Sequence, residues 1–590
     1  MEESSGNRGH TSRGATPNQH LLGDSCCSTI HRMESQSTEK RTPPRVALVF
    51  PPAMHPTSPP LGVASLKAFL KETAEQPLVR IFDLNLAHYD QALAWLADGR
   101  LRLRLKNLDW QTTAEKVHSA VRFLRGESGL EGFLDLPAYN EHASVYRGFE
   151  RIINGFFEYG CRRILTGLAV PALVQQYFQE LLEPVRSFSP ELVGLSLLFS
   201  QQLYFALALA RYVKEWRAAV AVGGATVSVM PEPGMLLADS ISTVIGNHRY
   251  ELHPHRFIDC LVPGEGEKAF AALVRNLHGD PGLVPGLWYR QNGSVRHNSP
   301  EVEGDINRLP LPDFDDLALA DYHSPLPMLP YLSSRGCPWA RCSFCSHHRT
   351  YHHYREEDIE KTVTGLAALQ ARYGVSMFSL VDEMIRPRRF QRLAAAISER
   401  LLQLHYSAYA KPTRGFNRAL LDTLHRSGAR LLLWGVESGN QRVLDLMNKG
   451  TRVAEMDRVL GDSRDAGIWN LVFVMFGFPG ERSEEWHDTL EFLHRHRDAI
   501  HGLNKSGFVL VAGSEIHRHP ERFGISEIIQ PRERELMSVA HGYRVTSGLS
   551  QKDAVERYRE QLPRLKAYGR SHHLSVLRDH LLVYAVHDYR

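Results

Sequence analysis

Three cysteines fall within nine positions, in Arg335-Gly-Cys337-Pro-Trp-Ala-Arg-Cys342-Ser-Phe-Cys345-Ser, and no cysteine follows Cys345. The C-x4-C-x2-C spacing puts three thiols on one loop and leaves a fourth ligand position to another group. A closed structural zinc site takes four protein ligands, and thiolate-held iron–sulfur clusters normally use four thiolates. Taken alone, the loop suits a zinc site completed by His347 or His348, or a cluster with one iron open to a further ligand.

The rest of the chain limits the choices. A length of 590 residues predicts more than one domain, at roughly 100–200 residues each. Apolar content of 43% and charged content of 23% predict an ordinary globular protein. A net charge of +3 provides no electrostatic case for a nucleic-acid partner. Seven cysteines, three of them clustered, suit a reducing cytoplasm and not a disulfide framework. No apolar run approaches the roughly 18–20 residues that cross a bilayer; the most apolar stretch, 192–213, is broken by Ser200, Gln201, Gln202 and Arg211. With no hydrophobic signal core near the start, a soluble, cytoplasmic protein without a membrane partner is expected.

Residues 1–44 are polar and low in apolar periodicity, which predicts a disordered tail; Cys26 and Cys27 in it carry no assigned role. From 45 to 290 the pattern is that of an α/β, Rossmann-like domain, with strands at 45–50, 78–82, 192–198, 219–222 and 257–262. It is interrupted by a helical insertion at about 86–186. Gly223-Gly224 and Gly264-Glu-Gly-Glu267 follow its later strands, where open α/β sheets bind ligands and where glycine lets a ligand approach the backbone; a tight turn would equally use Gly223-Gly224. A proline-rich stretch, 291–330, reads as a linker. From 331 to 525, strands predicted at 377–381, 406–410, 430–435, 470–476 and 508–511 alternate with helices at 359–373, 390–402 and 418–426. Such βα repeats predict a partial (β/α) barrel with its chemistry at the strand C-terminal ends. Residues 526–590 read as a helical extension.

Polar residues stand at those ends: Asp382-Glu383, Gly435-Val-Glu437-Ser438-Gly439 trailing into Met447-x-Lys449-Gly450, and Gly477-Phe478-Pro479-Gly480-Glu481. In this order, after the cysteine loop, they resemble radical S-adenosylmethionine (SAM) enzymes. The resemblance implies that Cys337, Cys342 and Cys345 hold a [4Fe-4S] cluster whose free iron binds SAM. It places Asp382 and Glu383 near the amino group of SAM, and Glu437 and Ser438 near its ribose and methionine. Gly477, Pro479 and Phe344 fall beside its adenine, and Lys411 or Arg414 near its carboxylate. Asp382 as a helix N-cap is the competing reading. Most of that superfamily have C-x3-C-x2-C; the longer gap here is associated with some cobalamin-dependent members.

The first domain adds to this. Pro-Pro-x6-Pro-Pro-Leu-Gly (51–62), Ser196-x-Leu198, Gly223-Gly224 and the Gly-Glu-Gly-Glu run resemble cobalamin-binding domains that precede radical SAM domains. The Asp-x-His-x-x-Gly motif, whose histidine ligates cobalt in some cobalamin domains, is absent. His55 lies in the corresponding loop without the flanking Asp and Gly, so the expectation is cobalamin without a histidine ligand. The resemblance implies a carbon methyltransferase acting on a peptide natural product or small secondary metabolite, supplied with electrons by a donor such as flavodoxin or ferredoxin. The alternative is a radical cyclase, rearranging or oxidising enzyme without methyl transfer.

Overall fold

Strand β1 (Arg45–Phe50) is a continuous apolar run, buried along nearly its whole length, as a strand covered on both faces requires. It lies inside a parallel sheet with β2 (Leu78–Asp83), β3 (Leu192–Ser196) and β4 (Ala219–Gly223). A separate hairpin follows, β5 (Ile241–Ile245) and β6 (His248–Leu252). The sheet then continues with parallel β7 (Cys260–Val262) and antiparallel β8 (Trp288–Gln291) and β9 (Ser294–His297), in the order β2-β1-β3-β4-β7-β8-β9. The computed structural model describes residues 43–105, 108–347, 350–351, 353–529, 540–565 and 577–587. The expected tail, with Cys26 and Cys27, lies almost wholly outside the described residues, as does His348.

The order reverses direction between β1 and β3. In open α/β sheets the ligand crevice lies at this point, beyond the strand C-terminal ends. Here it is flanked by the loop at 51–60 and by Leu197, Leu198 and Phe199. The stretch expected to be a linker is only partly one: β8 and β9 extend the first sheet to His297, a hairpin whose short strands carry little periodic signal.

The insertion is helical, as expected, with helices Leu84–Ala97, Trp110–Leu124, Gly129–Leu134, Leu136–Leu165 and Ala172–Phe188. Its core is aromatic: Tyr89, Tyr139, Tyr146, Phe149, Phe157 and Tyr177 are fully buried.

The second sheet runs β10 (Met328–Tyr331), β13 (Met377–Leu380), β14 (His405–Ala410), β15 (Ala429–Glu437), β16 (Trp469–Phe476) and β17 (Gly502–Gly507), all parallel. The numbers skipped belong to β11 (Ser334–Arg335) and β12 (Arg355–Glu356), an antiparallel pair that brackets the cysteine loop. No pairing joins β17 to β10 among the described residues, so the barrel is partial. Pro330 sits in β10, an edge strand, where a missing N–H is tolerated.

Two expectations are corrected here. The sixth barrel strand is Gly502–Gly507 and not 508–511; its sequence, Gly-Leu-Asn-Lys-Ser-Gly, is polar because it is an edge strand, and it hides from an apolar search. Leu510–Val511 (β18) instead pairs with β20 (Ala540–Val545), beside β19 (Ile525–Ile529), in a small antiparallel sheet. The extension after 525 is therefore not wholly helical; its helices are Gln551–Leu565 and Arg578–Val586. The last one packs Leu581, Leu582 and Tyr584 in one core with Met377, Leu431, Leu433 and Leu471 of the second sheet. It also ties the domains together: Thr57 donates to Asp579 (2.7 Å), Arg578 to the Tyr409 hydroxyl (2.5 Å) and Tyr584 to the Phe133 carbonyl (2.7 Å).

Candidate active site

The cysteine loop turns at Gly336 (φ 81°) and Ala340 (φ 47°), the latter inside the four-residue gap. Trp339, in the same gap, donates Nε1–H to the Asn448 carbonyl at 2.9 Å. Its ring lies against Gly450, where a methyl group would stand 2.3 Å from the indole. Ser343 N–H donates to the Met447 carbonyl, so the loop is pinned to the segment after Glu437 on both sides of Cys342. This accounts for glycine at 450.

Two lysines face the thiols. Lys449 Nζ is 2.7 Å from Glu437 Oε1, and Lys411 Nζ sits 3.5 Å from the Trp339 ring centroid while donating to the Lys449 carbonyl at 2.8 Å. Burial, with Lys449 adding to it, lowers Lys411 to about 8. Burial also pushes the Cys345 thiol up to about 12 and raises Cys342, with Lys449 and Lys411 opposing the shift at Cys342. A cationic wall of this kind favours thiolates once a metal group replaces the thiol protons. Of the two candidates for the SAM carboxylate, Lys411 is buried and interacts electrostatically with Cys342 and Cys337, whereas Arg414 is exposed.

Glu437 has φ 68°, in the left-handed region that a non-glycine residue seldom adopts, and lies at a register shift between β15 and β16. Such strain is found where a side chain is aimed for function. Gly435 serves the same arrangement: a methyl group there would stand 2.7 Å from Lys449 Nζ and 3.0 Å from Glu437 Oε1.

Ser438 and Asp382 behave differently from expectation. Ser438 is fully buried, 3.1 Å from Thr489 Oγ1, and accepts from Asn440 N–H at 3.1 Å; it shapes the turn and does not face the thiols. Asp382 is also fully buried, accepting from the Ser333 hydroxyl at 2.9 Å and from the Ser334 hydroxyl. It caps no helix, since the next one, Pro387–Glu399, begins after Arg386. Asp382 thus anchors the strand that leads into the cysteine loop. Its neighbour Glu383 stays partly exposed and pairs with His347 Nδ1 at 2.9 Å.

Among the described residues no three His, Cys, Asp or Glu side chains, the three loop thiols included, converge on one ion, and His348 lies outside those residues. Three thiols on a turned loop beside two lysines fit a larger anionic group. Gly477 admits the helix Gln551–Leu565, since a methyl there would meet Ala554 Cβ at 2.7 Å, and its N–H donates to buried Glu481 at 2.5 Å. Phe344 lies between this region and the lysines, its centroid 5.9 Å from Lys449 Nζ.

In the first domain, Gly224 (φ 96°) has no room for a side chain, because a methyl would stand 2.5 Å from the Leu197 carbonyl oxygen; at Gly223 it would stand 2.8 Å from that of Val262. Both glycines bring the ends of β3, β4 and β7 together beneath the crevice. Ser196 ends β3 beside Gly62, whose position has room for a methyl 3.6 Å from Ser196 Oγ. Leu198 and Phe199 are each 48% exposed at the crevice, an apolar edge that suits a large flat ligand such as a corrin.

Sequence reasoning missed how the two domains meet. Glu265 and Glu267, at the end of β7, both bind Arg335, and Glu265 also binds Arg355. All four side chains are nearly buried. Arg335 lies two residues before Cys337, so the first domain grips the cysteine loop directly. The Gly-Glu-Gly-Glu run was the signal, but its partner could not be read from it.

Residues 331–493 match the Radical SAM superfamily. An uncharacterized methyltransferase of Pyrococcus horikoshii is 26% identical over 339 residues, covering 56% of this chain and 69% of its own. Two solved structures share the fold. The radical SAM methyltransferase TsrM from Kitasatospora setae, with cobalamin and a [4Fe-4S] cluster bound, has a TM-score of 0.53 at 18% identity, covering 81% of this chain and 77% of its own. The cobalamin-dependent SAM radical enzyme OxsB has a TM-score of 0.58 at 15% identity, covering 92% and 70%. Residues 331–493 thus form a radical SAM domain, which implies a reductant and a small-molecule substrate. Over the shares of the chain that these two structures cover, the fold, sheet domain included, is the one they have. Among the described residues no helix is long and apolar enough to cross a membrane.

Proposed function

We propose that this enzyme transfers a methyl group to an unactivated carbon of a peptide natural product or small secondary metabolite, using a [4Fe-4S] cluster, SAM and cobalamin. The observation that carries the reading is the Glu265/Glu267–Arg335 contact, which joins the crevice of the first sheet to the cysteine loop of the second. When bound, the cluster and SAM supply a deoxyadenosyl radical, and cobalamin supplies the methyl group.

The chain's own residues do the placing. Cys337, Cys342 and Cys345 hold the cluster. Lys411 offers its ammonium to the SAM carboxylate, Glu383 accepts from the amino group, and Glu437 accepts from the ribose hydroxyls. Phe344, Gly477 and Pro479 form the adenine side. Ser196, Gly223 and Gly224 line the crevice for cobalamin. The helix Arg578–Val586 and the insertion close the space between the sheets against water, which a radical reaction requires. Electrons come from a flavodoxin- or ferredoxin-like donor in the cytoplasm.

The fold shared with OxsB, a cobalamin-dependent SAM radical enzyme, is compatible with one second reading, radical rearrangement or oxidation without methyl transfer. Metal analysis of anaerobically purified protein from cobalamin-fed cells, followed by product analysis, separates the two. About four irons and one cobalt per chain are expected. S-adenosylhomocysteine formed in step with methylated product supports methyl transfer. Deoxyadenosine with no methylated product overturns it in favour of the second reading. Stoichiometric zinc without iron after cluster reconstitution overturns both.

A further inference from the structure

His55 lies in the loop after β1, at the reversal in strand order where the first sheet's crevice opens. Its Nδ1 is 2.7 Å from Glu150 Oε1. Glu150 comes from the long insertion helix Leu136–Leu165, and its side chain is only 6% exposed, whereas that of His55 is 53% exposed. A carboxylate can only accept, so the ring donates from Nδ1. Nε2 makes no hydrogen bond to any described residue.

The loop is held from both sides. His323 N–H donates to the Pro56 carbonyl at 2.7 Å, and Thr57 donates to Asp579 at 2.7 Å. The ring is therefore placed before any ligand arrives. A buried carboxylate on one ring nitrogen, with the other nitrogen free, is the arrangement that orients metal-binding histidines and raises their basicity. Leu198 and Phe199, exposed at the end of β3 on the other side of the same reversal, provide apolar contact for a flat macrocycle.

We infer that His55, oriented by Glu150, is an axial nitrogen ligand to the cobalt of bound cobalamin. The inference rests on the cobalamin reading above and reverses the expectation drawn from the missing Asp-x-His-x-x-Gly motif. The orienting carboxylate is present, but it comes from the insertion, 95 positions away, and not from the same loop. In the bound state the Nε2 lone pair takes the axial position that water would otherwise hold, and the Nδ1 proton stays on the bond to Glu150.

The test uses full-length protein loaded with hydroxocobalamin, desalted, reduced to the cobalt(II) state and examined by electron paramagnetic resonance. Each cobalt hyperfine line is expected to split into a triplet from one nitrogen. Growing the protein with nitrogen-15 histidine should turn those triplets into doublets, because the coupled nitrogen belongs to the protein. His55→Ala is expected to retain about one cobalamin per chain and lose the splitting. Triplets unaffected by labelled histidine would assign the nitrogen to the cofactor's own base and overturn the inference, as would unsplit lines; either result leaves the cobalamin reading intact. A protein that retains no cobalamin after loading overturns both. The labelling arm needs no variant, so it stands even if His55→Ala fails to fold.

Discussion

Arg335 Nη1 lies 2.6 Å from Glu265 Oε2, and this bond crosses from the cysteine loop of one sheet to the end of a strand in the other. Arg335 also binds Glu267, and Glu265 also binds Arg355, so two carboxylates and two guanidinium groups neutralise one another in a nearly dry interface. Removing one member strands a buried charge, which costs about 3–5 kcal/mol. Glu265→Gln should therefore lower stability by about that much in anaerobic urea unfolding. It should also reduce cobalt-to-substrate methyl transfer more than SAM cleavage, because it loosens one domain against the other. Unchanged stability and an unchanged ratio of methyl transfer to cleavage would show that the contact is incidental.

The role proposed for Glu437 at the SAM ribose predicts a binding defect without a cluster defect. Hydrogen bonds to a charged group are worth about 1.5–3 kcal/mol, so Glu437→Gln should weaken SAM binding roughly ten- to hundredfold by calorimetry. Iron content should stay at the wild-type level. Loss of iron together with loss of binding would move Glu437 from the cofactor to the loop.

Gly450 has φ 67° and abuts the Trp339 indole. Alanine there must push the tryptophan away, an overpacking cost of about 1–3 kcal/mol on top of the backbone penalty. Since Trp339 stands inside the C-x4-C gap, Gly450→Ala should lower the iron retained after desalting. A fully loaded Gly450→Ala protein would show that the gap residue does not support the loop.

Glu481 carries a prediction about pH. It is fully buried, and burial raises its carboxyl from 4.5 to about 7, against the lowering effect of the Gly477 N–H. The folded protein then holds a proton that the unfolded chain releases above about pH 4.5. The stabilisation is full below that pH and is lost as pH rises to about 7, by at most about 3 kcal/mol. Stability measured at pH 5 and pH 8 should fall across that interval in the wild type, and the fall should be smaller in Glu481→Gln. Parallel pH profiles would rule out Glu481 as the titrating group.

Many strands and helices were legible because local rules decide them. The apolar run 45–50 is β1 as expected, and the periodic segments 359–373 and 418–426 are helices with those limits. The exceptions were elements whose signal is set by their neighbours: β17 is polar because it is an edge, and β8 and β9 are too short to show a period.

The sequence alone determined the cysteine loop, the order of polar strand ends and the alternation of β and α, since each is written in spacing or periodicity over a few residues. Tertiary structure decided which polar side chain faces which partner. Asp382 and Ser438 turned inward to serine and threonine hydroxyls, while Glu383 paired with His347 and Glu437 with Lys449. Glu265 found Arg335 and Glu150 found His55 across 70 and 95 positions. Charged groups that must leave water take whichever complementary group the fold brings within reach, and that choice follows from packing and not from any local pattern.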